Sequence, residues 1–225
     1  MKETLISIVT PTKNEAQNIE KLSLEIQKIF ENLKINYEHI IIDNNSTDGT
    51  VKIIKKLAEQ NLKVKLILNE NDYGQIRSPF YAMLQTSGDA VIMMTSDFQT
   101  PVEVIPELIS KWKNGKNKVI FTKRVSSDEM YLLKKLRTVY YIFLRKISKL
   151  NLESNITGEG IYDREIVEIL RKNADPFPFL RAMVPELGIH YDTLEFNQRQ
   201  RKYGKSKNNF FSLLGLAITS AIKYS

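Results

Sequence analysis

The sequence predicts a single α/β domain in which helices flank a central, mainly parallel sheet. Through the first half of the 225 residues, short apolar runs alternate with segments whose apolar residues recur at helical spacing. Each early apolar run ends in a polar loop, as strands of a layered sheet do. A hydrophobic content of 42% is enough for a sizeable core. We therefore expect one domain over residues 1–225, with a first half at 1–125 and a second half at 126–225.

The first half shows the clearest alternation of strands and helices. After the first apolar run, Ile19, Leu22 and Ile26 mark one face of a helix. After the fourth run, Pro101 favours the start of a helix and Thr100 is a suitable cap. The predicted strands cover residues 5–10, 37–42, 64–68, 90–94 and 118–122.

The second half contains longer apolar segments and a different charge pattern. A helix is predicted over 130–152, and a short helix runs from Asp163 to about Arg171. Pro176 and Pro178 indicate a loop. The remaining predictions are a joining loop at 123–128, a strand at 188–196, a basic loop at 199–207 and a closing apolar helix at 208–224.

Polar loops follow the first, second and fourth predicted strands. The carboxyl ends of parallel strands lie at one edge of a sheet, which is where open α/β sheets bind ligands. We therefore expect Asp43, Asp48 and Asp97 to share one crevice despite their separation in sequence. A carboxylate such as Asp97 can hold a hard divalent cation that carries a diphosphate. The plainer interpretation of Asp97 alone is a turn or cap residue.

Composition and charge exclude several classes of protein. The chain has no cysteine, so it has no disulfide, Cys-bound zinc or Cys nucleophile. No Gly-x-Gly-x-x-Gly follows the first strand, which disfavours a dinucleotide-binding dehydrogenase. No signal peptide or membrane span is evident in the sequence. His39 and His190 are most simply structural residues.

The net charge of +7 favours an anionic partner. The basic residues concentrate on the apolar helix at 130–152, which has no acidic residue, and in the loop at 199–207, a pattern that argues against nucleic acid. A basic amphipathic helix with aromatic residues is typical of a membrane surface, and a basic loop containing glycine suits a phosphate group. An ordinary surface helix and a solvated loop stay open as alternatives. The cations of the helix are Lys134, Lys135, Arg137, Arg145, Lys146 and Lys149.

Five segments together resemble the family 2 glycosyltransferases of the GT-A fold, particularly bacterial polyprenyl-phosphate glycosyltransferases related to dolichol-phosphate mannose synthase. Residues 9–15 are similar to the family's P-x-x-N-E, and residues 42–50 are similar to D-D-x-S-x-D-G-T. Residues 71–89 match the next block, and residues 96–103 match D-A-D-L-Q-x-P-P-E. Residues 201–207 match R-x-x-G-x-S-K. The resemblance covers nearly all of the chain from residue 4 onwards and implies a Rossmann-like GT-A sheet with amphipathic helices in the C-terminal part.

The resemblance also implies roles for individual residues. Asp97 falls on the metal motif and would bind Mg²⁺ or Mn²⁺, so it is a catalytic candidate together with Glu159, the nearest match to an acidic stretch that can supply a base. The first half would bind the nucleotide sugar, and the second half would face the acceptor and the membrane. The residues implied for the phosphates are Arg201, Lys205 and Lys207. Those implied for the nucleotide sugar are Pro11, Thr12, Asn14, Glu15, Asp43, Asn45, Gly74, Gln75, Ser96, Asp97 and Gln99.

One departure from the family bears on the chemistry. Thr95 stands where the metal motif has its first Asp, so Asp97 has less carboxylate help and metal binding depends more on the donor diphosphate. The implied reaction is inverting transfer from a UDP- or GDP-sugar to a polyprenyl phosphate, whose anionic oxygen hardly needs a base. The alternatives are a sugar-hydroxyl acceptor in cell-surface polysaccharide synthesis, for which Glu159 would be the base, and a catalytically weakened nucleotide-sugar-binding protein.

The resemblance further implies where the protein works and with what. We expect a cytoplasmic protein lying peripherally on the inner face of the cell membrane, with no nucleic-acid partner. A homo-oligomer is compatible with these features, and it stays open whether membrane-spanning helices follow Ser225.

Overall fold

The computed structural model describes residues 3–126, 153, 155–173, 175–200, 219 and 223. The sequence-predicted helices at 130–152 and 208–224 therefore lie outside the described residues, apart from residues 219 and 223 of the second. The strands are β1 (Leu5–Thr12), β2 (Asn36–Asp43), β3 (Val64–Leu68), β4 (Ala90–Met93), β5 (Val119–Ser126), β6 (Ile156–Asp163) and β7 (Asp192–Asn197). The helices are α1 (Ile19–Leu33), α2 (Thr50–Gln60), α3 (Gly74–Leu84), α4 (Ile105–Lys113), α5 (Arg164–Asn173) and α6 (Leu180–Glu186), with a 3₁₀ turn at Val102–Val104.

The seven strands of the described residues form one sheet in the order β3-β2-β1-β4-β6-β5-β7. Strands β1 to β4 run parallel, and β5 and β7 pair in parallel with each other. Strand β6 is antiparallel to both of its neighbours, β4 and β5. The predicted α/β fold with a mainly parallel sheet flanked by helices is thus confirmed. The division into halves at residue 125 stays a prediction.

One prediction about the second half was wrong, and two elements of it were not predicted. Residues 156–163 form a strand in the middle of the sheet that the sequence pattern did not indicate, whereas the predicted helix from Asp163 to about Arg171 is confirmed as α5. Strand β5 continues to Ser126, through part of the expected joining loop. After the two prolines, Leu180–Glu186 forms a helix that the sequence pattern did not indicate.

Apolar side chains cover both faces of the sheet, which explains why its strands are apolar throughout rather than alternating. Ile8, Ile41 and Ile92 point to the side of α1, α2 and α4. Their chain neighbours Val9 and Ile42 point to the side of α3, α5 and α6. Fully burying one such side chain stabilises the fold by about 1.5–3 kcal/mol, so each layer contributes substantially.

His39 of β2 is fully buried between the sheet and α1. Its Nε2 lies 2.9 Å from Thr10 Oγ1, and its Nδ1 lies 3.4 Å from Ser23 Oγ. Burial lowers the pKa of His39 to about 3, so the folded protein keeps a neutral imidazole where the unfolded chain takes up a proton. This geometry agrees with a structural role for His39.

We expect His39 to make the fold weaker in mild acid. Below the ordinary pKa of 6.5 the unfolded state binds more protons than the folded state, so stability falls as the pH falls toward about 3. From about pH 7.5 to about pH 5 the loss is about 2 kcal/mol, measured by urea unfolding. A His39→Gln variant should lose much less over this interval, and an equal loss in both proteins would contradict the assignment.

Candidate functional site

The loops that follow β1, β2 and β4 meet at the carboxyl edge of the sheet. The hydroxyl of Ser96, after β4, donates to the carbonyl oxygen of Pro11 at 3.2 Å. The backbone N–H of Asn14, after β1, donates to Ser46 Oγ, after β2, at 2.7 Å. These bonds join the three loops around one crevice, as the sequence predicted.

Asp43 ends β2 and is almost fully buried at this edge. Its Oδ1 accepts from the backbone N–H of Ser46 at 2.8 Å, and its Oδ2 accepts from the Ser46 hydroxyl at 2.5 Å. Thr12 Oγ1 donates to Asp43 Oδ2 at 3.2 Å from the neighbouring strand. Asp43 thereby fixes the start of the loop after β2 and connects it to the end of β1.

Two asparagines adopt left-handed backbone conformations beside Asp43. Asn14 has φ 54° and Asn45 has φ 60°, a region that Asn tolerates better than most residues. Asn14 Oδ1 accepts from the backbone N–H of Thr47 at 2.8 Å. Glu15 is buried, and its carboxylate accepts from Asn18 Nδ2 at 2.6 Å. The predicted residues Asn14, Glu15 and Asn45 therefore lie in the loops after β1 and β2, at the same edge of the sheet.

Asp97 lies in the loop after β4, with only 8% of its surface exposed. Its Oδ1 accepts from the hydroxyl of Thr95 at 3.0 Å and from the backbone N–H of Gln99 at 3.1 Å. Between these donors, Phe98 takes a left-handed conformation with φ 59°. This tight turn holds the carboxylate of Asp97 at the crevice.

Strand β6 brings a second carboxylate, Glu159, next to Asp97. Glu159 Oε2 accepts from the hydroxyl of Thr100 at 2.5 Å. Burial raises the pKa of Glu159, and the negative charge of Asp97 raises it further. Thr95, which stands in place of an Asp, donates its hydroxyl to Asp97 and also lowers the pKa of the Glu159 carboxyl.

Arg124, near the end of β5, is a site residue that the sequence analysis missed. Its charge acts on Glu159 and lowers the pKa of that carboxyl, against the larger effect of burial. Its Nε is buried and has no hydrogen-bond partner within the part of the chain that the structure describes. Because buried polar groups are usually paired, the guanidinium is suited to an anionic ligand.

Gly74 and Gln75 begin α3, beyond the end of β3. Gly74 has φ 79°, a conformation that suits glycine, and its N–H donates to Asp72 Oδ1 at 2.9 Å. Gln75 is exposed in the first turn of this helix. Both residues belong to a fourth loop at the same edge of the sheet.

The acidic residues of the crevice do not gather around a single point. Among residues 3–126, 153, 155–173, 175–200, 219 and 223, no three His, Cys, Asp or Glu side chains lie close enough to hold a metal ion. Asp48 instead lies just before α2, where its Oδ1 accepts from the backbone N–H of Thr50 at 2.9 Å. The three loops share the crevice, but Asp43, Asp48 and Asp97 are not a common ligand set.

The basic segment 201–207, with Arg201, Lys205 and Lys207, lies outside the described residues. Arg199, two residues before this segment, is held at the crevice. The backbone N–H of Arg199 donates to the carbonyl of Gln99 at 3.1 Å, and its guanidinium pairs with Glu103 at 3.0 Å. The chain therefore enters the basic segment from beside the Asp97 loop. None of the helices in the described residues combines the length and the apolar content needed to cross a bilayer.

Comparison with known proteins gives a consistent result. The family model described as "Glycosyl transferase family 2" matches residues 7–170. The bactoprenol glucosyl transferase of Shigella phage SfX is 31% identical over 98% of this chain and 72% of its own length. Mannosyl-3-phosphoglycerate synthase from Rubrobacter xylanophilus superposes with a TM-score of 0.68 at 15% identity, over 98% of this chain and 73% of its own.

A second solved structure shares the fold. Glucosyl-3-phosphoglycerate synthase from Mycobacterium tuberculosis, crystallised with Mn²⁺, UDP and phosphoglyceric acid, has a TM-score of 0.67 at 20% identity. The match covers 97% of this chain and 76% of that structure.

Proposed function

Because this chain belongs to glycosyl transferase family 2, we propose that it transfers a sugar from a nucleoside diphosphate sugar to the phosphate of a polyprenyl phosphate. The observation that carries the proposal is the meeting of the Asp43 loop and the Asp97 loop at one edge of the sheet. The first loop suits the nucleoside and the second suits its diphosphate. The lipid acceptor is supported by the similarity to the bactoprenol glucosyl transferase of phage SfX.

The donor would lie across the crevice from β2 toward β4. Its nucleoside would contact the loops after β1 and β2, and its diphosphate would approach Asp97 and the basic segment. The residues proposed for the nucleotide sugar are Pro11, Thr12, Asn14, Glu15, Asp43, Asn45, Gly74, Gln75, Ser96, Asp97 and Gln99.

The crevice fits a divalent cation that arrives with the donor. Asp97 offers a carboxylate and Thr95 a hydroxyl, and Mg²⁺ is commonly held by one or two carboxylates together with substrate phosphates and water. The structural neighbour from M. tuberculosis was crystallised with Mn²⁺ and UDP. Such an ion would supply charge neutralisation for the departing diphosphate.

In the proposed reaction an acceptor phosphate oxygen attacks the anomeric carbon of the sugar and the bond to the diphosphate breaks. The acceptor oxygen is already anionic, so no side chain has to remove a proton from it. Arg124 would bind an anionic phosphate near the reacting atoms and stabilise developing negative charge. Arg201, Lys205 and Lys207 are proposed to do the same for the phosphates. A single displacement of this kind inverts the anomeric configuration.

One observation favours a second candidate, transfer to a sugar hydroxyl. Glu159 lies beside Asp97 and has a raised pKa, which brings its basicity closer to neutral pH. A hydroxyl acceptor needs a base to take its proton, and Glu159 could fill that role. With a lipid phosphate as acceptor, Glu159 would instead orient Arg124 and Thr100.

Release of nucleoside diphosphate separates these candidates. The chain is incubated with a UDP- or GDP-sugar and Mg²⁺ or Mn²⁺, and with no acceptor, polyprenyl phosphate or free sugars. The proposal requires release that depends on polyprenyl phosphate. Release that depends only on free sugars would favour the hydroxyl acceptor. Binding of the donor without release under any condition would indicate a catalytically weakened binding protein.

Asp43→Ala should weaken nucleotide binding. The change removes the acceptor for Ser46 and Thr12 and so loosens the loop proposed to hold the nucleoside. Losing a charge-assisted contact of this kind costs about 1.5–3 kcal/mol, or roughly 10- to 150-fold in the Kd for UDP or GDP. Isothermal titration would measure it, with the remote Asp192→Ala on β7 as the control. Intact nucleotide affinity with lowered turnover would contradict the nucleoside role of Asp43.

Binding to a membrane surface is proposed from the sequence of residues 130–152. Attraction to anionic lipid contributes about 1 kcal/mol per basic residue near the surface, so we expect co-sedimentation with anionic vesicles at low salt and release at high salt. Neutral vesicles should not bind. Replacing Lys134, Lys135, Lys146 and Lys149 with Glu should abolish binding while leaving the melting temperature unchanged. Equal binding by the Glu variant would refute the proposal. The proposed location of the protein on the inner face of the cell membrane depends on the same binding and would lose its support.

A further inference from the structure

Asn44 follows the last residue of β2, and its side-chain amide connects several loops at the crevice. The side chain is 7% exposed. Its Oδ1 accepts from the backbone N–H of Tyr73 at 2.9 Å and from Asn69 Nδ2 at 3.1 Å. Its Nδ2 donates to Asp72 Oδ1. One side chain thus makes three hydrogen bonds to the segment 69–74, which links β3 to α3.

Asp72 extends this network to the loop after β1. Its carboxylate forms an ion pair with Lys13, and its Oδ1 also accepts from the N–H of Gly74 at 2.9 Å. The backbone N–H of Asn44 donates to the carbonyl of Thr12 at 2.8 Å. Through Asn44 and Asp72, the loops after β1, β2 and β3 are held as one unit.

The segment 69–74 depends on these polar contacts for its position. Residues 70–74 are all exposed, so little apolar burial holds them against the sheet. Removing the Asn44 amide would leave the N–H of Tyr73 and part of the Asn69 amide unpaired near the protein surface. The segment would then move toward water to satisfy them, because unpaired polar groups are costly.

We infer that Asn44 is a positioning residue for the nucleoside half of the donor site. It holds the segment that leads to Gly74 and Gln75 against the loops that carry Asn14 and Asp43. The inference rests on the proposed function, since it takes those loops to bind the nucleoside. Asp97 and Glu159 lie beyond β1 in the sheet order, in the β4 loop and in β6. Loss of Asn44 should therefore affect nucleotide binding rather than the chemical step.

The test compares Asn44→Ala with Asn61→Ala. Asn61 is a matched control because its side chain also makes three hydrogen bonds, to Gln27, Tyr37 and Lys63, at the opposite edge of the sheet. Isothermal titration gives the Kd for UDP and GDP, and steady-state kinetics give kcat and KM for the sugar donor. We expect Asn44→Ala to raise the Kd and KM by roughly 10-fold with kcat changed by less than about 3-fold. Asn61→Ala should leave all three values unchanged.

A second variant pair examines the contact between Asn44 and Asp72 directly. Asn44→Asp sets two carboxylates against each other, so it should weaken nucleotide binding more than Asn44→Ala does. Adding Asp72→Asn restores a donor and an acceptor between the two positions and should recover part of the affinity. This coupling is the signature of a direct interaction, which a general loss of stability would not produce. The Asn44→Asp and Asp72→Asn variants also test the inference if Asn44→Ala fails to fold.

The outcomes separate this inference from the function on which it rests. If the unaltered protein binds no UDP, GDP or dTDP, both fail. If it binds a nucleotide and Asn44→Ala binds equally well, only the role of Asn44 is overturned. If Asn44→Ala lowers kcat and leaves the Kd intact, the positioning role is likewise overturned.

Discussion

Replacing Asp97 with Asn should reduce sugar transfer by roughly 30- to 1,000-fold, equivalent to about 2–4 kcal/mol of transition-state stabilisation. Asn preserves the shape of the side chain and can keep accepting the hydrogen bonds from Thr95 and Gln99. The change therefore removes the negative charge with little disturbance to the turn. Without that charge, the divalent cation proposed to accompany the donor diphosphate loses its carboxylate ligand, and the leaving group loses the neutralisation that the ion provides.

Two measurements identify the cause of that loss. Turnover is measured across a range of Mn²⁺ concentrations. The concentration that gives half-maximal turnover should be lower for the unaltered protein than for Asp97→Asn. Asp192→Asn on β7, a remote exchange of the same chemistry, should leave turnover unchanged. Full activity of Asp97→Asn with the metal still required would contradict the assignment of Asp97 as a metal ligand.

Replacing Gly160 with Ala should destabilise the fold by more than about 4 kcal/mol, an exceptionally large effect for one methyl group. Gly160 lies in β6 opposite Phe121 of β5 and Met93 of β4. A Cβ there would overlap the carbonyl oxygen of Ile120 and stand 2.9 Å from Phe121 Cα. Backbone rather than a flexible side chain blocks the space, so the strands must separate. The adjacent Glu159 would be displaced from Thr100 as they do.

Gly115→Ala provides the matched control for this prediction. Gly160 has a positive φ of 138° and Gly115 has a positive φ of 68°, but a Cβ added at Gly115 meets nothing within 4 Å. Gly115→Ala should therefore lower the free energy of unfolding by the backbone strain alone, about 1–2 kcal/mol. Urea unfolding of both variants separates strain from overlap. Similar losses for the two glycines would show that close strand packing at Gly160 is not the cause.

The strands of the first half could be predicted because both faces of the sheet are covered, so each strand reads as an apolar run between polar loops. Strand β6 lacked that signal. Its sequence contains Gly158, Glu159 and Gly160, residues typical of a turn, and it becomes a strand because β4 and β5 pair with it on both sides. Its glycine is required by the approach of Ile120, which only the folded pairing creates.

The residues of the candidate site likewise include some that the sequence could predict and some that it could not. Asp43 and Asp97 could be placed at the crevice because each follows a predicted strand, and parallel strands end at one edge. The closeness of Glu159 to Asp97 depends on the antiparallel pairing of β6, which the sequence pattern did not indicate. Arg124 and Asn44 were missed because their importance comes from contacts across the sheet. An arginine ending a strand and an asparagine in a loop are both ordinary in sequence.

Direct detection of the lipid product tests the central claim most sharply. The full chain is mixed with polyprenyl phosphate, Mg²⁺ or Mn²⁺, and a panel of UDP- and GDP-sugars, and the organic extract is analysed by mass spectrometry. The account predicts a polyprenyl phosphate heavier by one sugar residue with at least one donor, and much less of it with Asp97→Asn. An unmodified lipid with every donor, while parallel reactions that contain free sugars in place of the lipid give a glycosylated sugar, would contradict it.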